Sequence, residues 1–331
     1  MVITCICWQN LVTNRIHPRM KTILYLGAEV GVVAAGEVVA DRAKVVMAPS
    51  NQEDVQSQIK TCDALLDASM KVRITDAMIA SAANLKIISC ATTGSDHIER
   101  GELKRRSIPV RTLMEDKELL LNLTPAAELS WALLMACARM LPAAINHVKK
   151  GCWNREMFPG VMLKGKRIGI IGCGRIGTWM SRYARAFGMD IVGYDPLIVD
   201  FSPYIEPVSL EELIRSSDFI TIHVPLNENT KGLLSGDLFA ILKPGAILIN
   251  TSRGAVVDEK ALLKALESKQ LQAAGLDVLT DEPDVEKSPL FHYAQTHDNL
   301  IITPHCGGFS HDAVRVVCRR AAEKIVEYLN L

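Results

Sequence analysis

The chain has no charge excess of either sign: Lys and Arg total 37, as do Asp and Glu, so the formal net charge is zero. A nucleic acid or a membrane surface favours a basic excess, so neither is expected as a partner. Long apolar runs are missing too, and none reaches the ~18–20 residues of a membrane helix. The opening MVITCICWQNLVTNRIHPRM has a short apolar patch with no basic stretch ahead of it, which makes a poor secretory signal. Arg15 and Arg19 occur there without acids, as in a transit peptide. A plainer reading opens the fold at Met20, where the strand-like KTILYLG follows, and leaves residues 1–19 as a loose arm. Zinc-ligand spacing is absent: of nine cysteines only Cys5 and Cys7 stand close, and no second pair completes them. An odd, scattered set of thiols points to reduced cysteines in a cytoplasmic protein, most of them small buried hydrophobes.

What is present is an alternation of short β-branched runs with helical stretches, the pattern of parallel α/β structure. With 331 residues the chain can form two domains, each with its own core. The first third predicts strands at Thr22–Gly27, Lys44–Ala48, Ala64–Ala68, Leu85–Cys90 and Pro109–Thr112, a small doubly wound, flavodoxin-like domain. A helix is predicted from Pro125 to about Met140, with Thr124 as its cap and Pro125 at its first position. Its body, LSWALLMACARML, is apolar nearly all round, so it is expected in a core or against a second subunit. Trp131, Leu134 and Met135 read as core residues rather than ligand contacts. A second series predicts six strands: Arg167–Gly172, Asp190–Asp195, Phe219–Val224, Ala246–Asn250, Ala273–Val278 and Asn299–Thr303. That number matches a Rossmann dinucleotide-binding sheet. The last helix, roughly Asp312–Tyr328, is expected to return to the first domain because the second sheet is already complete.

The strongest motif is Gly172-Cys173-Gly174-Arg175-Ile176-Gly177. G-x-G-x-x-G alone is weak evidence. Here the strand RIGIIG enters it, the helix TWMSRYARAFG leaves it, and the next strand ends in Asp195 about twenty residues on. Gly172 permits the tight turn, Gly174 lets the backbone approach a pyrophosphate, and Gly177 lets helix and strand pack closely. Asp195 can accept hydrogen bonds from both adenine-ribose hydroxyls and would repel a 2′-phosphate, which predicts NAD rather than NADP. Other strands end at the same edge in Val224-Pro225 with Thr230 beyond, in Thr251-Ser252, and in Asp277. Pro225 is expected beside the adenine, with Thr251 and Asp277 nearer the nicotinamide. Gly307 is expected to complete the cofactor set.

Three further residues carry chemistry. Arg253 follows the fourth of these strands, and a guanidinium can give two parallel hydrogen bonds to a carboxylate or a 2-keto acid. His305 follows the sixth strand and can serve as acid or base in either direction. Glu282 lies past the fifth strand, where a carboxylate beside the imidazole would favour its protonated form.

With these residues in place the chain resembles the D-isomer-specific 2-hydroxyacid dehydrogenases, in the branch that includes D-3-phosphoglycerate dehydrogenase. The matching stretches are GIIGCGRIG, YDP, HVPLNENTKGLL, INTSRGAVVDEKAL, AGLDV followed by DEP, and TPHCGG, which span most of residues 124–310 in the family's order. The resemblance implies a catalytic trio of Arg253, Glu282 and His305. Arg253 would bind the substrate carboxylate and carbonyl, His305 would be the acid/base, and Glu282 would tune it. It also implies a first domain built from both chain termini (residues 20–122 with 305–331), an NAD-binding domain at 123–304 and a cleft between them. A homodimer built partly on the Pro125–Met140 helix is implied as well. The family's substrate loop matches Ala91-Thr92-Thr93-Gly94-Ser95-Asp96, where N–H groups around Thr93 and Gly94 would hold the carboxylate of a small 2-hydroxy or 2-keto acid.

The chain departs from the pattern in places. Ala68-Ser69 stands where the phosphoglycerate enzymes often have Arg-Ser, and Ala127-Glu128-Leu129 where Ala-Glu-His is common. The segment Arg111–Leu123 differs from the usual short connection. An unphosphorylated acid is therefore expected, and no C-terminal regulatory domain. Formate dehydrogenases of the same group have Gln at the position of Glu282, which argues against formate. An NAD(H)-sensing corepressor of the family could keep the trio and is the alternative to an enzyme.

Overall fold

The computed structural model describes residues 19–331. Of the expected arm at 1–19, all but Arg19 lies outside the described residues. Arg19 is tied down, donating to Thr61 O (2.8 Å) and pairing with Asp63 (3.3 Å). The chain divides into two compact units: residues up to Thr112 with Val317–Leu331, and Leu113–Val316.

The first unit holds five parallel strands: β1 (Lys21–Leu26), β2 (Ala43–Ala48), β3 (Ala64–Asp67), β4 (Ile87–Cys90) and β5 (Val110–Arg111). Their order is β2-β1-β3-β4-β5, the flavodoxin-like winding expected from the sequence. Every residue of β3 and β4 is buried, which is why these runs are apolar throughout rather than alternating. Helices between them start where a polar side chain can cap them. Asn51 accepts from Asp54 N (3.0 Å) and Thr75 from Met78 N (3.3 Å), each cap contributing about 1 kcal/mol. The last helix, His311–Leu329, does return to this unit. Ala321, Ala322 and Ile325 are fully buried, Ser89 Oγ donates to Ala321 O (2.9 Å), and Lys324 Nζ donates to Thr112 O.

The second unit holds β6 (Arg167–Ile171), β7 (Asp190–Tyr194), β8 (Glu206–Pro207), β9 (Phe219–Ile222), β10 (Ala246–Asn250), β11 (Leu271–Leu276) and β12 (Leu300–Ile302). Their order is β12-β11-β10-β9-β6-β7-β8, all parallel. Six strands were expected and seven form. The extra one, β8, is two exposed residues pairing with Val192 and Gly193 at the sheet edge, too short to show a pattern and closed by a proline. The winding reverses between β6 and β9, and ligands of open parallel sheets bind at the carboxyl ends beside such a reversal.

The helix Pro125–Ala138 lies on this sheet, burying Ala127, Ser130, Leu133, Leu134, Cys137 and Ala138. Trp131 and Met135 pack partly buried on the same core. Thr124 does not cap the helix as expected. Its hydroxyl donates to the Glu128 carboxylate instead, while Pro125 takes the first position as predicted. Among the described residues only Lys117–Ala138 has the length and mean hydropathy (1.4) to cross a membrane. It is broken at 122–124 into two helices, and the longer packs on the sheet.

The division between units falls at 112/113 and 316/317, where the sequence suggested 122/123 and 304/305. Local hydrogen bonds account for both shifts. Leu121 O accepts from Trp179 Nε1 (3.2 Å) and Leu123 O from Arg175, which binds that segment to the second unit. The stretch from His305 is bound to it by Glu282 and Asp277.

Candidate active site

β6 runs straight into the glycine turn, and the helix Arg175–Ala186 starts at its far side. A Cβ on Gly177 would stand 2.2 Å from Gly172 O, so only glycine lets the helix sit this close to the strand. Gly174 is the opposite case. Among the described residues a Cβ there would meet nothing within 4 Å, and no side chain caps the helix start. Open space in front of uncapped N–H groups suits a pyrophosphate. The Arg175 guanidinium donates to Leu123 O, and burial lowers its pKa. Its part in this cradle is therefore its main-chain N–H at the first helical position. Ile176 packs on the apolar core behind the turn. Asp195 follows β7, with Oδ2 accepting from Cys173 N and Oδ1 from Leu197 N, both at 3.0 Å. Each oxygen keeps acceptor capacity for a ribose hydroxyl.

Past β9, Val224 packs partly buried on the core and Pro225 is exposed. Thr230 shapes the following turn, donating to Pro225 O and accepting from Asn227 N (2.8 Å). His223 is partly exposed as a residue, but its Nδ1 is buried without a partner and its Nε2 meets Thr221 Oγ1 at 2.7 Å. Burial pushes its pKa down to about 3, so the ring is neutral at ordinary pH.

β10 ends in Asn250, which is 1 % exposed. Its Oδ1 accepts from Ser252 N (3.0 Å) and Ser252 Oγ (2.8 Å), and its Nδ2 donates to Arg253 O (3.0 Å). This buried amide thus sets the turn that presents half-buried Arg253. Thr251 is held from the other side, its Oγ1 2.6 Å from Ser130 Oγ on the Pro125–Ala138 helix. A Cβ on Gly254 would stand 2.2 Å from Leu279 C, so the turn lies against the backbone leading from β11 to Glu282.

Asp277, just past β11, is 1 % exposed. Its carboxylate accepts from Thr303 Oγ1, from Cys306 N (2.9 Å) and from Gly307 N (2.7 Å). These bonds fix the turn after β12, where His305 adopts a left-handed backbone (φ 51°), an uncommon conformation for histidine that the surroundings must hold. His305 Nδ1 meets Glu282 Oε1 at 2.7 Å, with about a third of each side chain exposed. Nδ1 is thereby committed and Nε2 is the nitrogen left for chemistry.

The structure therefore brings His305 and Glu282 into contact. It also puts the Arg253 turn against the segment that carries Glu282. Thr93 and Gly94 belong to the first unit, in the loop after β4. Their N–H groups donate to no acceptor among the described residues, while Thr92 Oγ1 bonds Gly94 O (2.7 Å) and shapes the loop. Sequence reasoning did not single out Asn250 or Ser130. The signal was there: each is a polar residue inside an otherwise apolar stretch, AILIN and LSWALL, and a buried polar group must find a partner.

Comparisons with known proteins identify the family. Residues 131–307 match the family model described as D-isomer specific 2-hydroxyacid dehydrogenase, NAD binding domain. The chain is 37% identical over 282 residues to a D-3-phosphoglycerate dehydrogenase of Methanocaldococcus jannaschii, covering 84% of this chain and 52% of that one. It thus spans about half the length of the D-3-phosphoglycerate dehydrogenases it matches. With a Thermotoga maritima hydroxypyruvate reductase it shares 35% identity over 280 residues, 85% of this chain and 89% of the relative. Among solved structures, the TT0316 protein of Thermus thermophilus superposes with a TM-score of 0.80 at 30% identity, covering 93% and 97% of the two chains.

Proposed function

Because the chain belongs to the D-isomer specific 2-hydroxyacid dehydrogenase family, we propose that it interconverts a small D-2-hydroxy acid and the matching 2-keto acid with NAD. The observation that carries this reading is the His305–Glu282 pair, 2.7 Å apart beside the carboxyl edge of a sheet with an NAD fingerprint. When bound, the nicotinamide exchanges a hydride with the substrate's C2. The open turn at Gly174, the first N–H groups of the Arg175–Ala186 helix and Asp195 would hold the dinucleotide. Val224, Pro225, Thr230, Thr251, Ser252, Asp277 and Gly307 would line or shape the rest of its site. The Thr93 and Gly94 N–H groups would receive the substrate carboxylate. Arg253 binds carboxylate and carbonyl together, a two-point contact that fixes the plane of the keto acid. His305 Nε2 gives a proton to the carbonyl oxygen on reduction and takes it from the hydroxyl on oxidation. Glu282 holds the ring through Nδ1 and so fixes which nitrogen faces the substrate. The acid is proposed to carry no phosphate, since Ala68-Ser69 supplies no arginine beside the loop.

We place the protein in the cytoplasm as a homodimer, with neither nucleic acid nor membrane as partner. Among the described residues the seven cysteines are free thiols, and burial pushes Cys62, Cys90, Cys137 and Cys173 up to about 12, so they stay protonated. Leu141, Ile145 and Val148 form an exposed apolar stripe on the helix that follows Pro125–Ala138, with exposed Trp153 and Met162 beyond it. Apolar surface of that extent marks an interface.

A panel of 2-keto acids, including glyoxylate and hydroxypyruvate, tests the activity with NADH and again with NADPH. Steady NADH loss with at least one acid, and a clear preference over NADPH, is expected. NADH binding without turnover would overturn the enzyme in favour of the sensor. Arg253→Lys should keep NADH affinity while losing about 100-fold or more in kcat/KM, because an ammonium cannot make the planar two-point contact. Near-normal turnover of that variant removes Arg253 from its role. Reduction needs imidazolium and oxidation needs neutral imidazole, so under chemistry-limited conditions reduction should slow and oxidation quicken as pH rises. Parallel profiles in the two directions would rule out His305. Sedimentation at micromolar concentration should show a species of twice the chain mass, and a monomer there would refute the dimer.

A further inference from the structure

We propose that Asp67 and His97 form a clasp that holds the Ala91–His97 loop in the shape that receives the substrate carboxylate. The proposal rests on the role given above to Thr93 and Gly94, and it makes Asp67 and His97 positioning residues.

Asp67 closes β3, and its side chain is fully buried. A carboxylate in such a place is costly unless its lone pairs are used. Oδ1 accepts from Ser69 N (2.8 Å), Ser69 Oγ (3.0 Å) and Met70 N (3.2 Å), which shapes the turn after β3. Oδ2 is used differently: it meets His97 Nε2 at 2.6 Å, thirty residues along the chain. The Asp67 main-chain oxygen meanwhile accepts from Ala91 N at 2.8 Å. One residue therefore grips both ends of the loop, the entry through its carbonyl and the exit through its carboxylate.

The rest of the loop fits that purpose. Oδ1 already takes three donors, and the pairing that continues this pattern has His97 Nε2 donating to Oδ2. Among the described residues His97 Nδ1 is buried and has no partner, so the ring's hydrogen bonding there is to Asp67. The chain then leaves through His97 O, which accepts from Ile74 N (3.0 Å), and Glu99 N, which donates to Ile74 O (2.9 Å). Inside, Ile98 N donates to Ser95 O (3.1 Å), and Arg100 donates to Ser95 Oγ (2.6 Å). At the tip, the Thr93 and Gly94 N–H groups remain available. Two such donors serve one carboxylate only if the loop holds its curvature before the acid arrives. Binding would otherwise include the cost of ordering the loop.

The test compares His97→Leu, which removes the donor, with His97→Gln, whose amide N–H can still reach Asp67. Amide hydrogen exchange across 91–98 is measured without ligand, alongside KM, kcat and NADH affinity. In His97→Leu the loop should exchange faster, and KM for the keto acid should rise about tenfold, with kcat within about threefold and NADH affinity unchanged. His97→Gln should recover most of both losses. A Leu variant with wild-type exchange and KM, or a Gln variant as impaired as Leu, would overturn the clasp. Should His97→Leu fail to fold, Asp67→Asn gives the second reading: faster loop exchange supports the clasp, and unchanged exchange overturns it. Wild-type protein that reduces no keto acid but shows the same exchange differences would overturn the assigned activity while upholding the mechanical role of the pair.

Discussion

Buried polar groups at the carboxyl ends of apolar strands organise both units. In a parallel sheet covered on both faces, the last residue of a strand is still inside the protein. A buried carboxylate or amide there must find its hydrogen-bond partners in neighbouring loops. Asp67 at the end of β3, Asn250 at the end of β10 and Asp277 just past β11 all sit in this position, each at most 1 % exposed. Each is hydrogen-bonded to nearby segments, and each is thereby tied to a loop that carries a candidate site residue. Asn250 shapes the Arg253 turn, Asp277 the His305 turn, and Asp67 the loop of Thr93 and Gly94.

The chemistry built on these loops divides into binding and proton transfer. In the proposed reading, an anion is bound by main-chain N–H groups and one guanidinium, on a chain whose formal net charge is zero. Proton transfer is given, in the same reading, to one imidazole, whose Nδ1 is already taken by a carboxylate. The pair is part exposed, which suits a group that must reach a substrate, whereas His223 is kept neutral by burial.

Much of this could be read from the sequence. Apolar runs such as RIGII and AILIN mark strands because nothing else buries so many branched residues in so short a stretch. The glycine fingerprint is legible because each glycine answers a steric demand, as Gly177 against Gly172 O shows. What stayed hidden was pairing at long range. Nothing in the order of residues tells that Asp277 holds Cys306 and Gly307, or that Asp67 reaches His97. β8 was hidden because two residues make no pattern, and the unit boundaries because a few hydrogen bonds, such as Trp179 to Leu121, decide where a connecting segment belongs. Thr124 looked like a cap, but its hydroxyl found the Glu128 carboxylate, a stronger acceptor partner than the sequence rule assumes.

Main-chain atoms of Gly254 lie so near Leu279 and Thr280 that no methyl group would fit between them. Arg253 on one side and Glu282 on the other are thus mounted on a shared slab of backbone, and Glu282 in turn holds His305. Guanidinium, carboxylate and imidazole are thereby carried on stretches of main chain locked together within one unit. Their mutual spacing is a property of that packing.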